Sequence, residues 1–207
     1  MNQKNSLGLN PCFLDLDDPL ELFKIWMIEA EKKEIRDPTS SSLATANRAG
    51  QPNVRMVLLK GLNSKGFVFY TNLNSLKSND LKENPKAAMC FHWKSFNRQI
   101  RILGSVTQVD DKEADLYFNR RPYESKISAW ASDQSKPMKE RSELLGKIED
   151  FKKKYKNEKN VPRPPHWSGW CLRPSSIEFW LHKDNRIHER LRYNRAGNDW
   201  KKEILYP

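Results

Sequence analysis

The stretch NRIHERLRY, residues 185–193, places basic side chains at alternate positions: Arg186, His188, Arg190 and Arg192. Alternate residues of a β-strand point to the same face, so a strand here would align these side chains in one row. Like charges side by side repel, and an acidic ligand held against the row would make it favourable. A solvated strand face explains the same spacing, and this stretch alone leaves the two interpretations open.

Two strand ends carry groups that suit a phosphate. In VRMVLLK, Lys60 follows an apolar run, which fits either an ammonium at a barrel rim or a lysine whose tip reaches solvent. In YTNLNSLKSND, Tyr70 and Thr71 close a strand, Ser75 can cap the following helix, and Lys77 comes next. Hydroxyls, backbone amides and an ammonium are the groups that bind phosphate.

A third segment, YFNRRPYES, repeats polar groups at intervals of four: Tyr117, Arg121 and Ser125. A helical or near-helical backbone would bring them together around a second anion. Arg120 and Arg121 also fit a solvated helix end, so this segment leaves both interpretations open.

The composition predicts an acidic partner. The chain has 207 residues, and 37 Lys+Arg against 26 Asp+Glu give a formal net charge of +11. The length suits one domain with a sizeable core. A nucleic acid, an anionic membrane or a phosphorylated small molecule would each match the charge, which cannot choose among them.

The cysteines and the apolar runs exclude other classes. Cys12, Cys90 and Cys171 are odd in number and far apart, so we expect neither a disulfide framework nor a zinc site, and no metal centre. The N-terminus lacks a signal pattern, and no apolar run approaches the roughly 20 residues of a membrane helix. We therefore expect a cytoplasmic protein with no membrane partner.

The first predicted element is a helix in DDPLELFKIWMIEAEKK. Asp18 is its N-cap, Pro19 its first residue, and Glu21 completes a capping box. Residues 1–16 are polar and irregular, and we expect residues 17–207 to form a single domain with helical insertions. Apolar runs in SLATANR, VRMVLLKGL, GFVFYTN, KAAMCFHWKSF and RQIRILGSVTQV predict an antiparallel barrel.

Helices and strands alternate irregularly in the rest of the chain. Helices are predicted in SLKSNDLKENP, as a short exposed element, and in DKEADLYFNRRP, ESKISAWAS and KERSELLGKIEDFKKKYKN. SIEFWLHK and RIHERLRY predict a hairpin that turns at Asp184–Asn185, and DWKKEILYP a last strand. The expected fold is mainly β with flanking helices. Because neither GxGxxG nor a P-loop is present, side chains and strand ends would have to hold any nucleotide.

Taken in order, these motifs resemble the pyridoxamine (pyridoxine) 5′-phosphate oxidase family. The resemblance is carried by VRMVLLK, FYTNL, RQIRILG, YFNRRPYESKISAWASDQS, HWSGW and IEFWLHKDNRIHERLRY, from about Leu20 to the C-terminus. It implies an FMN-binding split β-barrel, antiparallel and Greek-key-like, and a homodimer with active sites at the subunit interface. It also implies an oxidase of the vitamin B6 pathway that converts pyridoxine or pyridoxamine 5′-phosphate to pyridoxal 5′-phosphate while O2 is reduced to H2O2.

Matched motif by motif, the resemblance assigns roles to residues. FMN contacts fall on Arg55, Met56, Val57, Leu58, Leu59, Lys60, Tyr70, Thr71, Lys77, Gln99, Gln134, Ser135, Trp180 and Arg190. Substrate contacts fall on Lys60, Tyr117, Arg121, Ser125, Arg186 and His188, of which the last two are the candidate catalytic residues. We assign Arg186 and His188 to orientation and electrostatics, identify no general base, and leave Arg192 solvated.

Two departures from the family pattern bear on these assignments. Where the family often has an Arg-Lys pair after YTNL, this chain has Leu76 before Lys77, so flavin phosphate binding would depend more on Arg55 and Lys77. The Arg-x-x-Tyr-like segment that folds over substrate in some members is not found in MNQKNSLGLNPCFLDLDD.

Two other functions fit part of the sequence. A nucleic-acid-binding barrel would use the positive charge with Trp93, Phe96 and Tyr123 as stacking platforms, but it does not explain the ordered motifs. A flavin-binding barrel with a reductase or non-catalytic role would need the FMN contacts without the substrate contacts. Because both sets are present, we expect the oxidase and no nucleic-acid partner.

Overall fold

The computed structural model describes residues 6–156 and 161–207. Its strands are β1 Ser40–Ala46, β2 Pro52–Leu58, β3 Gly61–Asn63, β4 Gly66–Asn72, β5 Lys86–Trp93, β6 Arg98–Gln108, β7 Trp167–Leu181, β8 Glu189–Ala196 and β9 Asp199–Ile204. Its helices are α1 Pro19–Lys33, α2 Leu76–Glu83, α3 Asp111–Asn119, α4 Tyr123–Ala131 and α5 Arg141–Lys154. Short 3-10 turns follow β5 at Lys94–Phe96 and β7 at Asp184–Arg186.

These nine strands of the described chain join one antiparallel sheet. Its order is β2-β1-β5-β6-β7-β4-β3, with β8 paired to β7 and β9 to β8. The sheet forks because β7 is 15 residues long: its first part pairs with β4 and its last part with β8. The sheet curls into half a barrel, and the prediction of a mainly β, antiparallel fold with flanking helices is confirmed.

Helix α1 begins where the sequence predicts. Asp18 accepts a hydrogen bond from the N–H of Leu20, and Pro19 lies in the first turn. The carboxylate of Glu21 accepts from Lys24 Nζ at 2.6 Å rather than closing the predicted capping box. The apolar face of α1 belongs to the same core as the strands.

Aromatic contacts attach α1 to the inner face of the sheet. The ring of Phe23 meets Phe67 of β4 and Phe91 of β5 edge to face, with centroid distances of 4.8 and 5.3 Å. Trp26 meets Phe179 of β7 in the same way at 5.1 Å. The helix therefore covers one side of the half-barrel.

The opposite side of β1, β2, β5, β6, β7 and β8 is the outer face of the sheet. One row across it consists of successive register partners, Val54, Ala44, Ala88, Leu103 and Ser176. Val54 is 71% exposed and Leu103 is 44% exposed. The outer face thus presents apolar side chains to its surroundings, as association surfaces do.

The short helix α2 lies where predicted, but the prediction that it is exposed is wrong. Ser78, Asp80 and Leu81 are buried. Asp80 accepts a hydrogen bond from Thr45 Oγ1 of β1 at 2.6 Å, which ties the helix to the sheet. This tie fixes the position of α2 relative to the strands.

Residues 6–16 contain no helix or strand and lie against α1 and β8. The indole of Trp26 donates to Cys12 O, and the hydroxyl of Tyr193 donates to Leu16 O, both at 2.9 Å. The part of the predicted irregular segment before residue 6 lies outside the described residues.

The two described ranges contain neither a membrane-spanning helix nor a metal-binding cluster. None of their helices is long and apolar enough to cross a membrane. No cluster of three or more His, Cys, Asp or Glu within those ranges could hold a metal ion. The cysteines are free thiols, and burial raises the pKa of Cys12 to about 11.

Candidate functional site

A cavity of about 270 Å³ lies where the end of β2, the end of β4, α2 and α3 meet. It is lined by Met56, Val57, Leu58, Lys60, Tyr70, Thr71, Lys77, Tyr117, Arg121, Gln134 and Trp167, which we call the cavity group. The family resemblance assigns an FMN contact or a substrate contact to every member except Trp167.

In the part of the chain that the structure describes, the cations of the cavity group have no acidic partner. With a limit of 4.0 Å, no ion pair in residues 6–156 and 161–207 includes Lys60, Lys77 or Arg121. Lys77 and Arg121 are partly buried, and such charges without counter-ions are unfavourable, so an anionic ligand would neutralise them.

Lys77 is held by uncharged groups. Its Nζ donates to Gln134 Oε1 at 2.8 Å, Thr71 Oγ1 at 3.1 Å and Ser75 Oγ at 3.2 Å. Burial, followed by the positive charge of Arg55, lowers the pKa of Lys77 to about 8. An anion in the cavity would oppose this shift, because it stabilises the charged ammonium.

Ser75 occupies the N-cap position of α2 but does not cap the helix as predicted. Its hydroxyl donates to Asn72 O at 2.7 Å, and the first turn has no side-chain cap. The N–H groups of that turn lie beside Lys77. A helix N-terminus with free N–H groups suits an anion.

Arg121 lies in the break between α3 and α4, with its guanidinium over aromatic rings. Its Cζ is 4.8 Å from the centroid of Trp167 and 5.5 Å from that of Phe118. Its Nη1 is buried and has no hydrogen-bond partner among the described residues. Burial lowers the pKa of Arg121, and Tyr117 opposes that shift. The guanidinium therefore keeps an unused donor.

Three cavity rings are nearly parallel. Tyr70 stacks on Tyr117 at 3.9 Å with 3° between the planes, and on Trp167 at 5.2 Å with 5°. Gly169 makes room for this stack, because a Cβ there would lie 2.8 Å from the Tyr70 ring. Burial raises the pKa of Tyr70 to about 12 and also raises that of Tyr117, so both stay neutral hydroxyl donors near neutral pH.

Two predicted contacts on β2 and just after it face the interior instead of the cavity. Arg55 donates to Thr45 Oγ1 at 2.7 Å and lies 3.9 Å from Asp80. It acts on the cavity through its charge beside Lys77. Leu59 belongs to the hydrophobic core, because alternation along this stretch turns its side chain inward.

Two serines assigned to the ligands are also absent from the lining. Ser125 lies in the first turn of α4, because the chain breaks at Pro122 and the four-residue spacing no longer continues one helix. Ser135 follows Gln134 in the loop after α4, with a left-handed φ of +72°. Tyr117 and Arg121 alone of the predicted triplet line the cavity.

The remaining predicted contacts form a second set on the outer face of the sheet. Gln99 of β6 is the register partner of Trp180 of β7, and Trp180 that of Arg190 of β8. Arg186 and His188 lie in the adjoining connection between β7 and β8. We call these five residues the outer-face group.

The predicted row of basic side chains does not form. Strand β8 begins only at Glu189, and Arg186 lies in a 3-10 turn with φ +60° after Asn185 with φ +56°. Left-handed backbone at two successive residues redirects the chain, so alternation cannot extend back to Arg186. Only Arg190 and Arg192 share a strand face.

Acidic residues of the same chain neutralise those arginines. Arg190 Nη2 lies 2.7 Å from Glu178 Oε1, and Arg192 Nη2 lies 2.8 Å from Glu203 Oε2. The Arg192 side chain is still 39% exposed, which agrees with the solvated interpretation, and the structure adds its ion pair with Glu203. The carboxylates come from β7 and β9, the two strands beside β8.

His188 is oriented by the backbone. Its Nδ1 accepts a hydrogen bond from the N–H of Lys183 at 3.2 Å, so the neutral ring carries its proton on Nε2. Its ring centroid is 4.7 Å from that of Trp180 and 5.1 Å from that of His182. His188 is thus placed to donate a hydrogen bond from Nε2.

The cavity group and the outer-face group lie towards opposite ends of β7. Tyr70 of the cavity pairs with Gly169 near the start of the strand, whereas Trp180 lies near its end. At about 3.3 Å per residue, roughly 35 Å of strand separates them. One chain alone does not bring the two groups together.

Sequence reasoning missed Trp167 of the cavity group, and it missed Glu178, which pairs with Arg190 of the outer-face group. Trp167 and Glu178 stand within the motifs HWSGW and IEFW, and neither received a role. The available signal for Glu178 was its spacing of two from Trp180, which places both on one strand face. Nothing local to HWSGW indicates that Trp167 contacts Arg121.

Comparison with known proteins identifies one family. The family described as "Pyridoxamine 5'-phosphate oxidase" matches residues 27–155, and the "Pyridoxine 5'-phosphate oxidase C-terminal dimerisation region" matches residues 167–207. A pyridoxine/pyridoxamine 5'-phosphate oxidase of Pelagibacter ubique is 59% identical over 208 residues, covering 100% of both chains. One of Sphingopyxis alaskensis is 49% identical, covering 92% of this chain and 88% of that protein.

Solved structures agree with the fold. PhzG from Burkholderia lata, in complex with tetrahydrophenazine-1-carboxylic acid, has a TM-score of 0.90 at 30% identity, covering 96% of this chain and 98% of that one. A pyridoxamine 5'-phosphate oxidase-related, FMN-binding protein from Nostoc punctiforme has a TM-score of 0.73 at 16% identity, covering 94% and 100%. The second likeness bears on the fold alone.

Proposed function

The chain belongs to the pyridoxamine 5′-phosphate oxidase family, and we propose that it oxidises pyridoxine and pyridoxamine 5′-phosphate to pyridoxal 5′-phosphate with FMN as cofactor. FMN would supply the redox chemistry when bound, as acceptor of a hydride equivalent from C4′ of the substrate and as the reductant that converts O2 to H2O2. With pyridoxamine 5′-phosphate, hydrolysis of the resulting imine by water would release ammonia and give the aldehyde. The names of relatives that match the full length support this activity.

One observation carries the proposal: the cavity gathers cations without a carboxylate. Lys77, the hydroxyl of Thr71 and the uncapped first turn of α2 suit the phosphate of FMN. Arg121, Lys60 and the neutral hydroxyl of Tyr117 suit the phosphate of the substrate. The donor set therefore fits two phosphorylated ligands side by side.

The residues of the chain act by binding and orientation. A substrate held by its phosphate at Arg121 is fixed in distance and angle, which is the main requirement when the cofactor carries the redox chemistry. His188 would donate from Nε2 to a substrate oxygen, and Arg186 would place a positive charge near the substrate ring. Neither is assigned as a general base.

We infer that a homodimer completes the site. The matched dimerisation region, residues 167–207, contains β7, β8 and β9, which include Trp180 and Arg190. The exposed apolar side chains of Val54 and Leu103 lie on the same outer face. A second copy seated on that face would bring its outer-face group to the cavity of the first.

The nucleic-acid alternative is weakened by the structure. Trp93, one of its stacking platforms, is 2% exposed and donates its indole N–H to Pro38 O at 2.8 Å. A buried ring cannot stack on a base.

The cofactor is tested by the absorption spectrum of the purified protein. We expect flavin bands, and release by denaturation should give FMN in a one-to-one ratio with the chain. Stoichiometric FAD, or a colourless protein that fails to take up added FMN, would overturn the cofactor assignment.

The activity is tested by measuring pyridoxal 5′-phosphate and H2O2 formed from each phosphorylated substrate in air. Unphosphorylated pyridoxine is the control, and it should react far more slowly, because it cannot use the phosphate site. A protein that binds FMN but forms neither product would instead be a non-oxidase flavin barrel.

The shared site is tested by mixing two impaired variants, Arg121→Ala and Arg186→Leu, and assaying them at a substrate concentration well below KM, where each alone has little activity. If each site takes its cavity from one chain and its outer-face group from the other, every mixed dimer has one intact site. Random mixing then restores about a quarter of wild-type activity. If each site lies within one chain, mixing restores nothing.

A further inference from the structure

We propose that Trp167 is a positioning residue, which fixes the guanidinium of Arg121 for the phosphate of the substrate. The proposal rests on the proposed oxidase function, and it adds a residue to which neither the sequence motifs nor the family comparison gives a role. It is carried by four features of the cavity.

The first feature is that Arg121 has no charged or hydrogen-bonded anchor. Within the described residues, its side chain makes no ion pair, and Nη1 is buried without a hydrogen-bond partner. Its neighbours are the ring faces of Trp167 at 4.8 Å and Phe118 at 5.5 Å. A long side chain that must meet a phosphate in one geometry needs such a support.

The second feature is that Trp167 is itself rigid. It is 6% exposed, its ring is parallel to that of Tyr70, and the ring of Phe118 meets it edge to face at 5.0 Å. Its carbonyl accepts from Arg163 Nη1 at 2.8 Å. A ring fixed on several sides can fix the cation above it.

The third feature is a tie between Trp167 and helix α3. Arg163, which holds the Trp167 carbonyl, pairs with Asp115 at 2.6 Å and with Asp111 at 2.7 Å, both on α3. Helix α3 also carries Tyr117, the other substrate-phosphate candidate. The two groups that would grip one phosphate are thus held in one frame.

The fourth feature is the kind of support. A carboxylate beside Arg121 would also hold the guanidinium, but it would compete with the phosphate for the same donors. An aromatic face attracts the cation and leaves its N–H groups free. Trp167 therefore orients Arg121 without occupying Nη1.

The test is a double-mutant cycle between Trp167→Leu and Arg121→Ala, read as KM for pyridoxine 5′-phosphate and as FMN content. Trp167→Leu should raise KM about tenfold, which corresponds to about 1.4 kcal/mol and lies within the range of a desolvated cation–π contact. It should change kcat less than about threefold and leave FMN content unchanged. On the Arg121→Ala background the same substitution should have almost no further effect on KM.

Trp130→Leu is the matched control. Trp130 lies in the same apolar cluster as Trp167, packs on Phe151 and Tyr155, and has no recorded contact with Arg121 in the described residues. It should lower thermal stability with KM unchanged. If Trp167→Leu fails to fold, Trp167→Phe takes its place, and its smaller rise in KM should again vanish on the Arg121→Ala background.

Two results would overturn the proposal. An equal rise in KM with and without Arg121 would show that Trp167 supports the fold in general. An unchanged KM in a folded Trp167 variant would show that Arg121 needs no support. Either result, obtained with a wild-type protein that forms pyridoxal 5′-phosphate, would leave the proposed oxidase function standing.

Discussion

The basic side chains of the cavity and those of strand β8 differ in where their counter-charges come from. Arg190 and Arg192 pair with Glu178 and Glu203 of the same chain, at 2.7 and 2.8 Å. In the described residues, the cavity cations have no such partners, and burial lowers the pKa of Lys77 to about 8. The two regions look alike in sequence and are opposite in electrostatics.

The difference separates cations that stabilise the fold from cations kept for a ligand. Removing one member of a buried ion pair leaves the other unpaired, which destabilises a protein. Removing a desolvated cation that has no partner relieves an unfavourable charge and should not destabilise the free protein. Stability and ligand affinity should therefore respond in opposite ways in the two regions.

The variant Arg121→Ala should have the largest effect, which is a weaker binding of substrate. The loss of charge-assisted contacts, about 1.5–3 kcal/mol, should raise KM for pyridoxine 5′-phosphate roughly tenfold or more. FMN content should barely change, and the melting temperature of the FMN-free protein should not fall by more than a degree or two. If Arg121→Ala instead loses FMN and keeps its KM, Arg121 binds the phosphate of FMN, and the assignment of the two phosphate sites is wrong.

The reverse pattern is expected from Arg190→Leu. Glu178 is almost fully buried and would keep only Arg101, at 3.2 Å, so loss of its 2.7 Å partner should destabilise the FMN-free protein by about 1 kcal/mol or more. That corresponds to about 2–4 °C per kcal/mol for a chain of this size. Arg192→Leu is the control, since both members of its pair are half-exposed and its loss should shift the melting temperature little.

The sequence assignment of Arg190 to FMN makes this variant informative in a second way. If Arg190→Leu releases FMN and keeps its melting temperature, measured at one protein concentration, Arg190 serves the ligand alone. Arg190 would then behave like the unpaired cations of the cavity and not like a cation that stabilises the fold. Restoration of stability by a further Glu178→Leu substitution would confirm that the ion pair carries the effect.

The sequence predicted most elements because their signals are local. Asp18 and Pro19 start α1 where the capping signals predict it. The row from Arg186 to Arg192 failed because two left-handed residues precede β8, and neither Asn185 nor Arg186 is a glycine that would have signalled them.

The ion-pair partners of the charged side chains could not be predicted from neighbouring residues in the sequence. The pairing of Arg192 with Glu203 depends on the register of β8 and β9, and that of Arg190 with Glu178 on the register of β7 and β8. The family resemblance supplied ten of the cavity residues but not the division into two groups. That division follows from the path of β7, which pairs with β4 and β8 in different parts.

The variant Lys77→Met should have a smaller effect, which is a weaker binding of FMN. Loss of the ammonium should weaken FMN binding about tenfold, as measured by titration of the FMN-free protein. The melting temperature of that protein should stay the same or rise, because the environment of Lys77 disfavours its charge. A large drop in melting temperature would place Lys77 with the stabilising cations.

The pH dependence of FMN binding sharpens the same point. Since the pKa of Lys77 is about 8 in the free protein and an anion raises it, binding takes up a proton above pH 8. FMN affinity should fall by up to about tenfold per pH unit between pH 8 and 10. Lys77→Arg, which stays charged, should flatten the profile, whereas an unchanged profile would assign the pH dependence to another group.

The smallest expected effect is a gain. Leu76 begins α2 beside Lys77, its side chain is half-exposed, and the family often has a cation at this position. Leu76→Arg should tighten FMN binding about two- to fivefold at low salt, because a second cation joins the uncapped helix N-terminus. The gain should shrink in 0.5 M salt, since an exposed charge is screened, and Leu76→Gln should show none of it. If Leu76→Gln tightens FMN binding as well, removal of the apolar side chain, and not the added charge, strengthens binding. Position 76 would then say nothing about the difference between paired and unpaired cations.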